Sequence, residues 1–142
     1  AMKRAFDHLE PLLKREGTYP AKKGSIILAT VQGDIHDIGK NIVSLMLKNE
    51  GFDVIDLGKD VPDEEIIGAV KQHNPDMVGL SALMTTTMVR MKDVIEKARQ
   101  SGLSCPFLIG GAVVTKVYAD SLGALYAKDG VEAVKKAESL VR

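Results

Sequence analysis

This chain has no tryptophan, no net charge and only one cysteine. Its one cysteine, Cys105, can form neither an internal disulfide nor a thiolate metal cage. Three tyrosines and three phenylalanines are too few for a surface that stacks nucleic-acid bases. Because 19 basic residues balance 19 acidic ones, the sequence offers no basic surface for nucleic acid or membrane. We therefore expect neither partner.

Long apolar runs are also missing. None is long enough to cross a bilayer, and no signal-peptide pattern is seen, so we expect a cytoplasmic location. With 142 residues, of which 45% are hydrophobic and 27% charged, the chain can bury about one core.

From Gly24 onward, short apolar runs alternate with longer stretches of helical periodicity. The apolar runs predict strands over 25–31, 52–58, 76–82, 106–111 and 124–127. Apolar stripes at helical spacing lie between or after them, at Ile38, Ile42, Leu45 and Met46, at Ile66, Ile67 and Val70, at Met88, Met91, Val94, Ile95 and Ala98, and at Val131, Val134, Ala137 and Val141. Strands that are apolar throughout are typical of a parallel sheet with helices on both faces. We predict a flavodoxin-like (Rossmann-like), doubly wound five-stranded α/β fold with strand order 2-1-3-4-5.

The first residues differ from the rest. A helical stripe is formed there by Met2, Phe6, Leu9, Leu12 and Leu13, and Pro11 should bend or divide the helix. One helix cannot form a domain, so we divide the chain into a helix with its linker at residues 1–23 and a sheet domain at residues 24–142.

Three unusual loops follow predicted strands 1, 3 and 4: "QGDIHDIG" at 32–39, "SALMTTTM" at 81–88 and "GGAVVT" at 110–115. In an open parallel sheet, ligands bind at the carboxyl ends of the strands, where the strand order reverses. That point lies between strands 1 and 3, so the fold should bring these loops to one ligand-binding edge.

Each loop residue also has a purely structural interpretation. A loop histidine such as His36 is often a hydrogen-bonded hinge. Asp34 and Asp37 are typical helix N-cap residues, as is the run 85–87, and the glycine pair 110–111 is typical of a turn.

A metal site explains the combination better. Neutral imidazole is a good ligand for a transition metal, and a ligating histidine usually gives its other ring N–H to a carboxylate. Asp34 lies two residues from His36 and can make that bond. Because these loops hold one histidine and no cysteine, a bare ion would be poorly held. A metal bound here would arrive inside a macrocycle.

The same residues resemble a known family. "DIHDIG" resembles the D-x-H-x-x-G signature of cobalamin-binding domains, and it is followed by the S-x-L element "SAL" and by a Gly-Gly pair. The resemblance covers residues 2–142. It is strongest to the small corrinoid proteins of methyltransferase systems that use methylamines, methanol or methoxylated aromatics, and weaker to the corrinoid domain of methionine synthase.

The resemblance implies a role for each matching residue. His36 would be the lower axial ligand of cobalt, with Asp34 as its hydrogen-bond partner and Thr87 completing a relay. Gly39 would leave room for the cofactor's displaced nucleotide tail. Further cofactor contacts are implied for Gly33, Ile35, Asp37, Ile38, Ser81, Leu83, Thr85, Gly110, Gly111 and Ala112.

The implied function is a methyl carrier that holds cobalamin and its cobalt and does not catalyse methyl transfer alone. Its implied partners are methyltransferase subunits and a reductive activase. Only the segment 2–16 matches the helical cap that family members carry over the cofactor.

Two alternatives remain. The corrinoid domain of an adenosylcobalamin mutase or of a cobalamin-dependent regulator shares the same motif and fold. A signalling receiver needs an aspartate at the end of strand 3 and a lysine after strand 5. Ser81 stands at the first position, and Lys128 has no aspartate to serve.

Overall fold

Five apolar segments form parallel strands, and a helix follows each of them. In the computed structural model, residues 23–141 are described. The strands are β1 Ser25–Thr30, β2 Asp53–Asp56, β3 Met77–Ser81, β4 Phe107–Gly110 and β5 Leu125–Tyr126. The helices are α1 Ile38–Asn49, α2 Asp63–His73, α3 Thr85–Gln100, α4 Lys116–Leu122 and α5 Gly130–Leu140. The strand order is β2-β1-β3-β4-β5, all parallel, which confirms the predicted flavodoxin-like fold.

The sheet separates two apolar layers. Side chains alternate along a strand, so Ile26 and Leu28 of β1 pack with residues of α1 and α5. Ile27 and Ala29 point the other way and pack with residues of α2, α3 and α4. Each fully buried Ile or Leu side chain stabilises the fold by about 1.5–3 kcal/mol relative to exposure. The same alternation decides which residues of each strand can reach a ligand on one face.

The helix boundaries agree with the turn residues of the sequence. Pro62 precedes α2, whose first turn carries three acidic residues that suit the positive end of a helix. Gly51 and Gly102 follow α1 and α3 with φ values of 98° and 78°, a backbone region that favours glycine. The predicted helix before residue 23 lies outside the described residues. No helix within 23–141 has the length and hydrophobicity needed to cross a membrane.

Helix α1 contains the predicted apolar stripe but leaves most of it unburied. Ile38, Ile42 and Leu45 are 77%, 53% and 60% exposed, whereas the buried face of the helix carries Lys40 and Leu47. A helical repeat of apolar residues does not show what lies opposite them. The repeat therefore could not show whether this face of α1 packs on the sheet or stays exposed next to the sheet.

Thr30 carries a fully buried hydroxyl at the end of β1, and no hydrogen-bond partner for its Oγ1 is found within the described chain. An unpaired buried hydroxyl destabilises a fold, so we expect Thr30→Val to raise the free energy of unfolding by about 1 kcal/mol in urea titrations. The matched change Thr115→Val removes the hydroxyl that accepts from Tyr118 N at the start of α4, and should lower stability by about 1 kcal/mol. A loss of stability in Thr30→Val would contradict this prediction.

Candidate cofactor site

The loop between β1 and α1 is fixed by backbone hydrogen bonds on two sides. On the β3 side, Val31 N donates to Ser81 O at 3.1 Å. On the side of the β2–α2 loop, Gly33 N donates to Asp60 Oδ1 at 2.7 Å, and Asp60 N donates to Asp34 O at 2.9 Å. Gly33 has a φ of 89°, which gives the loop its turn. The loop is therefore held in place before any ligand binds.

Asp34 lies at the centre of this loop, and its side chain is fully buried. Oδ1 accepts from the backbone N–H of His36 at 3.0 Å and lies 2.7 Å from Nδ1 of the same residue. Oδ2 accepts from Leu83 N at 2.7 Å, Met84 N at 3.3 Å and Thr87 Oγ1 at 2.6 Å. One carboxylate thus links the histidine loop to the start of α3.

These hydrogen bonds keep the Asp34 carboxyl ionised. Burial by itself raises its pKa, because desolvation disfavours the charged form. The hydrogen bonds from Thr87, from the backbone of His36 and Leu83, and from the His36 ring oppose burial and prevail. The net pKa therefore lies well below the usual range of a carboxyl group.

Asp34 also fixes the tautomer of His36. A carboxylate only accepts hydrogen bonds, so the ring proton lies on Nδ1 and leaves a lone pair on Nε2. The His36 side chain is 45% exposed and borders a cavity, so this lone pair is accessible to a ligand. No group of three or more His, Cys, Asp or Glu side chains in the described chain could hold a metal ion. The site thus offers one imidazole to a metal that brings its other ligands.

A cavity of about 750 Å³ opens beside His36 between the sheet and helices α1 and α5. It begins at the carboxyl ends of β1, β3, β4 and β5, as the fold predicts, and runs down the sheet face. Ile35, Ile38, Ile42 and Leu83 line it and are all exposed, so the open stripe of α1 forms part of an apolar wall. An exposed apolar patch of this kind marks a binding surface.

Ten of the predicted cofactor residues line this cavity: Ile35, His36, Asp37, Ile38, Gly39, Ser81, Leu83, Gly110, Gly111 and Ala112. The other four, Gly33, Asp34, Thr85 and Thr87, do not line it. Asp34 and Thr87 lie behind the histidine and hold it, Gly33 makes the turn, and Thr85 is the exposed first residue of α3. Asp37 precedes α1 but makes no side-chain capping hydrogen bond.

Several lining residues were not predicted from the sequence. Lys40 is one of them; its amine is buried against Asp56 Oδ1 at 2.5 Å, although a lysine on a short helix is usually exposed. Gly79 lies within β3, and a run of residues surrounds the start of α5: Ala127, Lys128, Asp129, Gly130 and Ala133. The rule that strand ends share one edge could have found the α5 group, since it also applies to β5.

The glycines of the site are needed for two different reasons. A side chain on Gly111, whose φ is 132°, would clash with the carbonyl of Ala82, and one on Gly110 would lie 2.9 Å from Ala127 O. At these two positions the protein's own backbone takes the space that a side chain would need. A Cβ on Gly39 would meet nothing within 4 Å. Only Gly39 therefore leaves space that a ligand could fill.

We expect Gly39→Ala to leave the fold intact and to obstruct the cavity. Alanine is preferred over glycine inside a helix by about 1 kcal/mol, so the melting temperature should stay the same or rise. If the cavity holds the corrinoid that the sequence resemblance implies, affinity for hydroxocobalamin should fall at least about tenfold, because a methyl group then occupies the ligand's space. Calorimetry and a visible-absorbance titration measure the two effects, and unchanged affinity would show that the ligand does not approach this glycine.

Comparison with known proteins shows what the chain is similar to. Residues 24–137 match the B12 binding domain family. The chain is 47% identical to dimethylamine corrinoid protein 3 of Methanosarcina mazei, over 99% of this chain and 86% of that protein. It is 46% identical to dimethylamine corrinoid protein 1 of Methanosarcina acetivorans, over 99% of this chain and 67% of that protein.

A solved structure gives the same result. The fold matches a chain of the methanol:cobalamin methyltransferase complex MtaBC from Methanosarcina barkeri with a TM-score of 0.84 and 37% identity. The match covers 90% of this chain and 50% of the other, so the chain spans about half the length of that relative.

Proposed function

Because this chain belongs to the B12-binding domain family, we propose that it carries a methyl group on a corrinoid, with His36 as the lower axial ligand of cobalt. The observation that carries the proposal is the Asp34–His36 pair. The buried carboxylate oxygen Oδ1 of Asp34 lies 2.7 Å from Nδ1 of His36, keeps the proton on that nitrogen and leaves Nε2 accessible at a large apolar cavity. A surface histidine without this role would need neither the buried partner nor the cavity.

The residues present fit a corrinoid. An imidazole nitrogen is a suitable ligand for cobalt, and a macrocycle supplies the ligands that the described chain lacks. The cavity beside His36 is apolar, about 750 Å³ in volume, and open next to Gly39, which suits a bulky nucleotide tail. When bound, the corrinoid supplies a cobalt centre that accepts and donates a methyl group.

The chain's own residues orient His36 as a metal ligand and keep a proton on its Nδ1 atom. Asp34 keeps the Nδ1 proton of His36 in place, which directs Nε2 outward and raises its basicity as a ligand. The N–H groups of Leu83 and Met84 donate to the Asp34 carboxylate and keep it charged. The shared proton therefore stays on Nδ1 of His36 and does not move to Asp34.

Thr87 positions the carboxylate. Its hydroxyl lies 2.6 Å from Asp34 Oδ2 and 3.0 Å from Met84 O, and its one proton can serve only one of these acceptors at a time. The residue is nearly buried at 6% exposure. A relay that continues from Thr87 to solvent stays a prediction.

We propose that a methyltransferase subunit is the partner. This is supported by the similarity to a chain of a methanol:cobalamin methyltransferase complex and by the exposed apolar residues around the cavity. A reductive activase, a cytoplasmic location and a domain boundary after residue 23 stay predictions from the sequence.

The test is direct. The 142-residue chain is mixed with hydroxocobalamin, desalted, and its visible spectrum recorded. We expect one corrinoid per chain to remain bound, and methyl transfer from a methylated amine or methanol when a cognate methyltransferase is added. A folded but colourless chain would overturn corrinoid binding. Rearrangement with adenosylcobalamin, and no methyl transfer, would overturn the carrier role.

A further inference from the structure

Two rows of residues form the sheet floor of the cavity. The strands are in register so that Thr30, Ser81 and Gly110 lie side by side at their carboxyl ends. One step deeper on the same face, Leu28, Gly79 and Leu108 are in register and form the second row. Of these residues, all but Thr30 line the cavity.

Gly79 leaves a recess in the deeper row, and the side chain of Leu28 fills it in this structure. A Cβ on this residue would lie 2.5 Å from Leu28 Cδ2, so the leucine side chain occupies the space that a larger residue would take. Leu28 and Leu108 are 3% and 5% exposed and belong to the apolar layer of α1 and α5. A flat ring would therefore have to displace the side chain of Leu28 to enter the recess.

The deeper row has no side chain that can form a hydrogen bond. The backbone groups of β1, β3 and β4 are used in the sheet, because each strand pairs on both sides. Lys40, the buried cation of the cavity wall, is paired with Asp56. Asp129 accepts from Glu132 N at the start of α5. Ser81 offers a hydroxyl, but one row higher, and the polar lining residues Asp37, Tyr126 and Lys128 lie outside the deeper row.

We infer that this floor selects corrinoids whose nucleotide carries an apolar bicyclic base of the benzimidazole class over those that carry a purine. The inference rests on the proposed function, since it needs the nucleotide tail to enter this cavity. A purine such as adenine has an amino group and additional ring nitrogens that would lose water and find no partner beside Leu28 and Leu108. A dimethylbenzimidazole buries methyl groups there instead.

The experiment compares three corrinoids by absorbance titration of the full chain: hydroxocobalamin, its analogue with an adenine lower base, and cobinamide, which has no nucleotide. We expect the adenine analogue to bind at least about tenfold more weakly than hydroxocobalamin. Equal binding of these two, or tighter binding of the adenine analogue, would overturn the inference. Cobinamide binding as tightly as hydroxocobalamin would also overturn it. Failure of all three to bind would instead overturn the proposed function.

A matched pair of variants can be compared with the same two corrinoids, so that differences between the corrinoids themselves cancel. Leu108→Val and Leu108→Thr give side chains of the same shape that differ by one hydroxyl. We expect the preference for hydroxocobalamin over the adenine analogue to be at least about threefold smaller in Leu108→Thr, because the hydroxyl can pair with the purine. An equal preference in the two variants would contradict the inference.

Gly79→Ala tests the recess itself. The added methyl group should push Leu28 into the cavity and weaken hydroxocobalamin at least about tenfold, with little change for cobinamide. Gly68→Ala is the control, since a Cβ there meets nothing within 4 Å. An equal loss for both corrinoids would show that the nucleotide does not occupy the recess.

Discussion

Replacing His36 with alanine should lower the affinity for hydroxocobalamin at least about 100-fold and abolish the spectral shift that accompanies binding. The imidazole is the one side-chain nitrogen ligand that this loop offers, and macrocycle contacts alone would not replace it. The side chain is 45% exposed, so its removal leaves little empty space in the fold. We therefore expect the melting temperature to change little while corrinoid binding is lost.

The matched control is His73→Ala, since His73 is exposed in the last turn of α2. This variant should bind hydroxocobalamin like the wild type. Added imidazole should partly restore the spectral shift of His36→Ala, because it can occupy the vacated position. Wild-type affinity and spectrum in His36→Ala would rule out His36 as the axial ligand.

Asp34→Asn should destabilise the fold by about 2–4 kcal/mol at pH 7, in addition to weakening corrinoid binding about 10- to 100-fold. The asparagine amide has one oxygen where the carboxylate has two, so its NH₂ group must face N–H or O–H donors. In one orientation His36 N loses its acceptor inside the protein, and in the other Leu83 N and Met84 N lose theirs. Urea denaturation monitored by circular dichroism measures the loss.

The stability contributed by Asp34 should depend on pH in a defined direction. Its pKa is lower in the folded chain than in the unfolded one, so as the pH falls the unfolded chain takes up the proton first. The stabilisation is therefore complete above the ordinary carboxyl pKa of about 4 and is lost as the pH falls through the folded-state value. The difference between wild type and Asp34→Asn should be constant above about pH 5 and shrink below about pH 4.

Asp37→Asn is the control for this variant, because Asp37 makes no side-chain capping bond and is only partly buried. Its stability should stay within about 0.5 kcal/mol of the wild type at pH 7. A stable Asp34→Asn with unchanged corrinoid affinity would mean that the carboxylate does not hold His36.

The amino-acid sequence by itself determined the sheet, its strand order and the edge where the cavity opens. Apolar strands such as β1, separated by amphipathic helices, leave few alternatives to a parallel sheet, and that topology fixes which loops meet. The pairing of His36 with Asp34 was also predicted, because two residues in one short loop can reach each other whatever the rest of the chain does.

Tertiary structure alone decided what lies opposite each side chain. It placed Ile38 and Ile42 beside a cavity, buried Lys40 against Asp56, and brought the start of α5 to the site. It also separated Gly111, which is closed by the Ala82 carbonyl, from Gly39, which faces open space. Periodicity records the conformation of one segment, whereas burial and cavities depend on residues that are distant in the sequence, so only the packed chain could decide them.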